Sequence, residues 1–504
     1  MIFLRKTIPI FYSALMLTGV NLLLRFVSTS FQVFVSNRIG PAGVGLLQLV
    51  LSVGAMSVTA GIAGIRTTTM YLTAEELGKK RPQNIRWILR ACFLFSILAA
   101  GAVSFCLYFF APQIAAHWIG HPDTAGALRL YACFLPFTCL CGVMTGYFTA
   151  ANRIGTLTAV EIAEQALSLT ATMVLLTFWA EDDPVRACLC IIFGSGLGNI
   201  LTLLTLLFLR LRQKAPYGQP IPVRNRLLRC AVPLALADDL KAGISTTENL
   251  MVPKRLALYA GEFSPLAAFG IVSGMVFPVL MFPAAILFAL AELLIPELAR
   301  CHAAGSKMRI RYLTGRTLRV ALIYGLTCGG LLYLLAEPLC LSLYGSVDAA
   351  RQLRLYALLA PMLYCDAMTD AMTKGLGQQT ACVRYNIFTS AMDVILLYLL
   401  LPRYGMGGYF LSFLVTHLIN FLLSLRRLIK ISGRKIPPRT PILSCLCAIA
   451  AVGIAEFAAS TALRCIAFPT ALVCLLTLCG VLGKADLRWL RGLLSPHKAE
   501  KGTA

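Results

Sequence analysis

Charged residues are scarce in this chain. Only 13% of its 504 residues are Asp, Glu, Lys or Arg, whereas 58% are hydrophobic. An ordinary water-soluble domain carries roughly a quarter charged residues, so this chain has too little polar surface to cover a soluble body of its size. The composition excludes a soluble globular protein and indicates that lipid surrounds most of the chain.

Acidic residues are the scarcer of the two charge types. The chain has 22 Asp and Glu residues and 45 Lys and Arg residues, which gives a formal net charge of +23. Such an excess is typical of proteins that bind nucleic acid, but here the basic residues lie in short runs between long apolar stretches. This distribution argues against nucleic acid as a partner.

Residues and motifs with catalytic or metal-binding chemistry are also few. Of the five His residues, only His117 and His121 have a ligand-like spacing of four. No Gly-rich phosphate loop, HExxH motif or GxSxG motif occurs. Most of the 18 Cys residues lie inside apolar runs and are interpreted as core packing. The sequence therefore predicts a protein that is not an enzyme, with no cofactor and no metal.

What the chain does have is apolar segments, and fourteen of them are long enough to cross a bilayer as helices. About 20 residues span a hydrocarbon core of roughly 30 Å. The sequence therefore predicts an all-α polytopic membrane protein. The segments are named span 1 to span 14, and their predicted limits are 8–36, 42–65, 87–111, 125–150, 156–179, 186–209, 228–252, 264–290, 318–336, 352–373, 382–401, 406–425, 441–461 and 465–483.

The basic residues orient these spans. Loops on the N-terminal side of the membrane carry 34 Lys and Arg residues, and the opposite loops and helix ends carry nine. Basic residues remain on the cytoplasmic side, so both termini are predicted to be cytoplasmic in a multi-pass protein of the cytoplasmic membrane. Arg25 and Lys241, which lie deep inside spans 1 and 7, complete the 45 basic residues.

A weak internal repeat divides the chain. Pro9 and Pro233 open spans 1 and 7 at an offset of 224 residues, and Asn152–Gly155 matches Gly375–Gln378 at an offset of 223. Six spans per half would give two lobes in parallel orientation. The predicted domains are an N-terminal six-helix lobe, a C-terminal six-helix lobe, spans 13 and 14, and a cytoplasmic tail, at residues 1–215, 216–435, 436–485 and 486–504.

Polar residues form a stripe along span 1. They recur at steps of three and four, which places them on one helix face. An ionised group at the bilayer centre costs about 2.5–3.5 kcal/mol on insertion scales, so Arg25 needs either a carboxylate on a neighbouring helix or an anionic ligand such as pyrophosphate. Both alternatives stay open. The stripe is Thr18, Asn21, Arg25, Ser28 and Gln32.

Span 7 carries a second stripe. Asp238 and Lys241 are three residues apart and could neutralise each other. Glu248 has no such partner one turn before it, so it could pair with Arg25 or take up a coupling cation. The predicted substrate-binding residues are Arg25, Asn21, Ser28, Gln32, Glu248 and Asn249; the predicted coupling or cavity residues are Asp238, Lys241 and Glu164 of span 5.

Three further spans contain polar residues with a simpler interpretation. Asp366, Asp370 and Lys374 of span 10 follow one another at steps of four and could satisfy one another. Polar groups that join helices are the interpretation for spans 11 and 12. Those groups are Asn386, Thr389, Asp393, Thr416, His417 and Asn420.

Five stretches of the chain are specific in their order and spacing. They are GPAGVGLLQLV (Gly40–Val50), GYFTAANRIG (Gly146–Gly155) followed by Glu164 and Gln165, ENLMVPKRL (Glu248–Leu256), LLIPELAR (Leu293–Arg300) and TKGLGQQ (Thr373–Gln379). Together they resemble the stage V sporulation protein B family of polysaccharide and lipid-linked oligosaccharide flippases, which is related to the lipid II flippases and to the multidrug and toxin extrusion transporters. The resemblance covers about residues 1–485.

The resemblance implies fourteen helices, two six-helix lobes around a cavity, and alternating access by rocking of the lobes. It also implies a polyprenyl-pyrophosphate-linked sugar as cargo, delivered for cell-wall, spore-cortex or polysaccharide synthesis. Cationic cavity residues occur in the lipid II flippases, and Arg25 fits that pattern. The acidic residues of span 7 are a departure from this cationic pattern.

Three functional hypotheses follow. The first is a flippase in which Arg25 attracts the pyrophosphate, with the lipid-linked sugar and the bilayer as partners. The second is a cation-coupled exporter of small amphipathic molecules, in which Glu248 or Asp238 titrates. The third is a scaffold that recruits cell-wall synthases through its basic inner loops, although it leaves the polar stripes unexplained.

Overall fold

A computed structural model describes residues 4–62, 64–79, 81–180, 183–213, 223–261, 264–433, 437 and 439–482. Every regular element in these ranges is a helix, which confirms the all-α prediction. The predicted cytoplasmic tail, residues 486–504, lies outside the described residues.

The helices follow the predicted spans closely. Spans 1 and 2 form Leu4–Ile62, and span 2 continues as Ile65–Gly78. Span 8 is built from several pieces, Pro265–Gly270, a π-helical segment Ile271–Val276, Phe277–Met281 and Ala284–Ala303. A shorter helix, Val347–Ala357, precedes the helix of span 10. The other spans are Ile85–Gln113, Ala125–Ala150, Ile154–Phe178, Pro184–Leu211, Arg224–Leu256, Lys307–Tyr344, Ala360–Gly375, Gln379–Ser432 for spans 11 and 12 together, Arg439–Glu456 and Thr461–Leu478.

Two long helical runs each contain two spans. Gly40 has φ 69° and ψ 174°, and Gly405 has φ 56° and ψ −137°, so each interrupts its run. Glycine adopts such positive φ angles at little cost because it lacks a Cβ. The breaks fall between the predicted limits of spans 1 and 2 and of spans 11 and 12, where both pairs turn on the predicted outer side.

The helix count agrees with fourteen spans. Nine helices of the described chain are long and apolar enough to cross a membrane, and the bent pair of span 8 makes a tenth. Dividing the two interrupted runs at Gly40 and Gly405 gives twelve. The remaining two are span 7, whose polar stripe lowers its mean hydropathy, and span 10, whose helix has 16 residues.

The chain packs as two compact units. The first comprises Met1–Met275 with Ser390–Ser412, and the second comprises Val276–Thr389 with Phe413–Ala504. Buried side chains of spans 2, 3, 4 and 6 form a core in the first unit, including Leu72, Ile88 and Phe148. In the second unit, Phe468 of span 14 packs in a core with residues of spans 9 and 13. This division follows packing, and the lobe boundaries given above stay a prediction.

Within the first unit, spans 2 and 8 approach backbone to backbone. A Cβ built on Gly45 would lie 2.2 Å from the carbonyl oxygen of Leu266, and one built on Gly270 would lie 2.0 Å from that of Pro41. Only glycine allows helices to come this close. We call the contact among these four residues the glycine seam; by the predicted topology it lies at the outer end of the spans.

Replacing Gly45 by Ala should destabilise the protein. The added Cβ meets backbone and not a flexible side chain, and overpacking of this kind costs about 1–3 kcal/mol. Thermal unfolding of the purified protein in detergent would show a lower midpoint for Gly45→Ala. The matched control is Gly101→Ala of span 3, where a Cβ meets nothing within 4 Å. Equal unfolding midpoints for the two variants would show that the helices at the glycine seam accommodate the added methyl group without loss of stability.

Candidate functional site

The polar stripe of span 1 is held from span 5. The Gln165 amide donates to the carbonyl oxygen of Leu24 at 3.3 Å and to the hydroxyl of Ser28 at 2.5 Å. These acceptors flank Arg25, whose side chain is half-buried, so Gln165 fixes the helical turn that carries the guanidinium. The side chain of Asn21 lies outside the described residues.

Gln32 continues the stripe toward the predicted outer side. Its amide donates to the carbonyl oxygen of Gly274 at 3.3 Å. Gly274 lies in the π-helical segment of span 8, where the regular i to i−4 hydrogen-bond ladder is shifted. Gln32 therefore joins span 1 to span 8, and its role in the structure is a contact between helices.

Glu248 of span 7 faces another acid. Its carboxyl group is in hydrogen-bond contact with that of Asp393 in span 11. Asp393 is buried and accepts a hydrogen bond of 2.5 Å from the hydroxyl of Ser412 in span 12. Tyr409 lies beside both acids. The sequence offered Arg25 or a cation as the partner of Glu248, whereas the structure supplies a second carboxyl.

Two carboxylates in contact inside a membrane cannot both be ionised, because like charges repel strongly where the dielectric constant is low. A proton on one of them turns the contact into a hydrogen bond. The Glu248–Asp393 pair can therefore hold one shared proton.

The other predicted site residues lie outside the Glu248–Asp393 pair. Asn249 donates to the hydroxyl of Ser52 at 3.0 Å and so binds span 7 to span 2. Glu164 accepts from Thr202 of span 6 at 2.9 Å. Asp238 and Lys241 are both exposed, and no ion pair between these two appears in the described part of the chain. Their predicted coupling role stays a prediction.

Sequence reasoning did not assign Gln165 and Asp393 to the site. Asp393 is the one acid in the apolar stretch of span 11. That isolated acid was the sequence feature that could have identified it as a site residue. Gln165 was part of a family motif but had no assigned partner. In both cases the missing information was which helices are neighbours.

With this geometry established, comparison with known proteins is informative. Residues 17–178 match the MatE family model. The chain is 21% identical over 413 residues to stage V sporulation protein B of Bacillus subtilis (strain 168), covering 78% of each chain. It is also 21% identical over 329 residues to sporulation protein YkvU of the same organism, covering 64% of this chain and 72% of that relative. The resemblance identified from the motifs is confirmed.

Solved structures share the fold. The lipid II flippase MurJ in an inward closed conformation aligns with a TM-score of 0.65 at 12% identity, over 95% of this chain and all of that chain. An inward-facing multidrug resistance MATE family transporter of the MOP superfamily aligns with a TM-score of 0.64 at 14% identity, over 83% of this chain and all of the other. The chain is therefore a multi-pass membrane protein that shares the fold of these two structures.

The shared proton should be visible by infrared spectroscopy. We expect purified protein at neutral pH to show a carboxylic-acid C=O band that weakens in Glu248→Gln and in Asp393→Asn. Asp348→Asn is the control, because Asp348 is exposed and 3.9 Å from Arg351. Spectra that are the same in all four proteins would contradict a protonated pair.

Proposed function

We propose that this protein is a membrane flippase that moves a polyprenyl-pyrophosphate-linked sugar across the cytoplasmic membrane by alternating access. The observation that carries the proposal is Arg25, a guanidinium within a membrane span whose helical turn is fixed by Gln165. The sugar-linked lipid would serve cell-wall, spore-cortex or polysaccharide synthesis.

The chemistry of Arg25 suits a pyrophosphate. A guanidinium remains charged in any protein environment, and its planar fork binds two phosphate oxygens at once. Glu248, the acid that the sequence offered as an ion-pair partner, is engaged with Asp393. The assignment of Arg25 to a pyrophosphate therefore rests on the chemistry of the guanidinium itself.

An apolar cavity supports a lipid cargo independently. It lies wholly in the second unit, has a volume of about 750 Å³, and is formed by residues of spans 9, 10, 12 and 13, with Pro437. Arg319 is the one charged residue in its lining, and most of the rest are apolar, such as Leu322, Phe421 and Ile449. Pockets of this size and composition hold hydrocarbon well, and a polyprenyl chain is such a ligand.

The named relatives support the same class of cargo. One is a stage V sporulation protein and one solved neighbour is a lipid II flippase. The second name connects this fold with a lipid and the first connects it with sporulation, although each describes the relative and not this chain.

Replacing Arg25 by Ala should weaken the binding of undecaprenyl pyrophosphate. Hydrogen bonds to charged groups contribute about 1.5–3 kcal/mol, which corresponds to roughly a tenfold to hundredfold rise in Kd. Native mass spectrometry of the purified protein would measure the effect. Arg25→Lys keeps the positive charge but lacks the planar guanidinium, so we expect a smaller rise in Kd than for Arg25→Ala.

The matched control is Arg129→Ala, which removes an arginine of the same unit that lies 5.5 Å from the ring centre of Tyr108. It should leave lipid binding unchanged. Equal binding by wild type and Arg25→Ala, or no binding by wild type, would refute the proposed role of Arg25.

The Glu248–Asp393 pair favours a second candidate, a cation-coupled exporter of small amphipathic molecules. A solved neighbour, the MATE multidrug transporter DinF-BH, shares the fold with a TM-score of 0.59 at 15% identity, over 82% of this chain and 94% of that chain. Against this candidate, a basic residue in span 1 repels cationic cargo.

Transport from proteoliposomes separates the two candidates. A flippase should move fluorescent lipid-linked sugar between leaflets, and Arg25→Ala should abolish that movement. An exporter should expel dye in response to a pH gradient, and Glu248→Gln should abolish that efflux. Dye efflux that needs Glu248 but not Arg25, without lipid movement, would replace the flippase with the exporter.

A further inference from the structure

Three side chains meet at the inner ends of spans 4 and 6 in the first unit, on the side that the sequence predicts to be cytoplasmic. Tyr147 of span 4 is 5% exposed, and its hydroxyl donates to Oε1 of Gln213 at 2.8 Å. The guanidinium carbon of Arg210 lies 4.9 Å from the centre of the same tyrosine ring. Tyr147 therefore brings an arginine of span 6 and the amide that follows this span together. We call these three residues the inner cluster.

Two hydrogen-bond donors of the inner cluster are buried without an acceptor. They are Nε of Arg210 and Nε2 of Gln213. The Oε1 atom of Gln213 is bonded to Tyr147, which leaves the N–H groups of the amide for a further partner. A buried donor that makes no hydrogen bond costs about 1–3 kcal/mol, so two of them on neighbouring side chains indicate that a ligand accepts from both.

The segments around the inner cluster contain positive charge and no acid. Residues 140–160 and 202–223 include the inner ends of spans 4 and 6, and they contain no Asp or Glu. Their basic residues are Arg153, Arg210, Arg212 and Lys214. Elsewhere on the predicted inner side of this unit, Glu75 and Glu76 bind Arg226 at 2.6 and 3.1 Å. Donors and positive charge without a carboxylate select an anion with oxygen acceptors.

The helix dipole accounts for only part of this arrangement. The carbonyl end of a helix carries partial negative charge, which favours arginine at the ends of spans 4 and 6. Arg212 fits that explanation, because it is exposed and its guanidinium carbon lies 4.5 Å from the ring centre of Phe208. An arginine that served only the dipole would keep its donors in water, whereas Nε of Arg210 is buried.

A phosphate group matches this set of donors. The guanidinium binds two phosphate oxygens at once, and an amide N–H can donate to a third. On the cytoplasmic side of a membrane, basic pockets between spans meet the head groups of anionic phospholipids, and free phosphate is present in the same place. Both sources carry the same acceptor oxygens.

We propose that Arg210 and Gln213 bind a phosphate group, carried either by an anionic phospholipid or by free inorganic phosphate. Tyr147 positions both side chains, through its ring and through its hydroxyl. The bound phosphate satisfies the two buried donors. The site uses neither Arg25 nor the Glu248–Asp393 pair, and it goes beyond the proposed cargo because it assigns a separate anion to the inner end of the first unit.

Thermal unfolding of the purified full-length protein in a neutral detergent tests this site in two arms. In the first arm, sodium phosphate replaces sodium chloride at constant pH and ionic strength. In the second arm, phosphatidylglycerol is compared with phosphatidylcholine of the same acyl chains. The unfolding midpoint should rise saturably in at least one arm, because a ligand that binds only the folded state stabilises it. The arm that responds identifies the source of the phosphate group.

Gln213→Glu is the most informative variant. The new carboxylate still accepts from Tyr147, but it lacks the amide donors and repels phosphate. Because it also pairs with Arg210, the variant without ligand should unfold at a midpoint no lower than that of the wild type. Its apparent affinity should fall roughly tenfold or more, the loss expected for one hydrogen bond to a charged group. Arg210→Gln should weaken binding by a similar factor.

The matched control is Arg212→Gln, which removes a neighbouring positive charge from the ring of Phe208 and should keep the response. A wild-type midpoint that neither phosphate nor phosphatidylglycerol raises would overturn the proposal. So would an equal response of the wild type, Gln213→Glu and Arg210→Gln, because the anion would then bind elsewhere, such as at Arg25. If Arg210→Gln does not fold, Gln213→Glu carries the test. The assay measures binding without transport, so its outcome is independent of lipid flipping.

Discussion

The hydrocarbon core of a bilayer offers no water, so each polar group placed there needs a partner from the protein or from a ligand. The backbone meets this constraint by remaining helical, and its breaks at Gly40 and Gly405 fall at the ends of spans. Many hydroxyl groups meet it locally. Thr369 and Thr373, for example, donate to carbonyl oxygens one turn earlier at 2.7 Å. The few groups that cannot be satisfied within their own helix mark the places where spans are joined or where a ligand is expected.

The same constraint explains why so much of the fold is predictable. A span needs about 20 apolar residues whatever its neighbours are, so hydropathy alone locates it. The largest error is at span 9, predicted as 318–336 and found as Lys307–Tyr344, because the extra turns at its start carry basic residues that do not resemble a span. Outside the apolar core, helix length is no longer set by hydropathy.

The site was predictable only in part, and the reason is geometric. The stripe on span 1 follows from the helical period, which is a property of one segment. The contact between Glu248 and Asp393 joins residues 145 positions apart in the numbering, and no local pattern gives the register of two distant helices. Sequence therefore shows which face of a helix is polar, and the fold decides what that face meets. Span 10 shows the difference, since the predicted ladder pairs Lys374 with Asp370, whereas Asp366 accepts its hydrogen bonds from Asn420 of span 12.

The glycine seam also determines what a separation of spans 2 and 8 would require. Gly45 and Gly270 contribute only backbone to their contact, and such contacts consist of dispersion and weak Cα–H···O interactions. Parting these surfaces breaks no ion pair, and bringing them together again requires no search among rotamers, because glycine has none. A contact of this kind would open and close without any side-chain rearrangement at the two glycines.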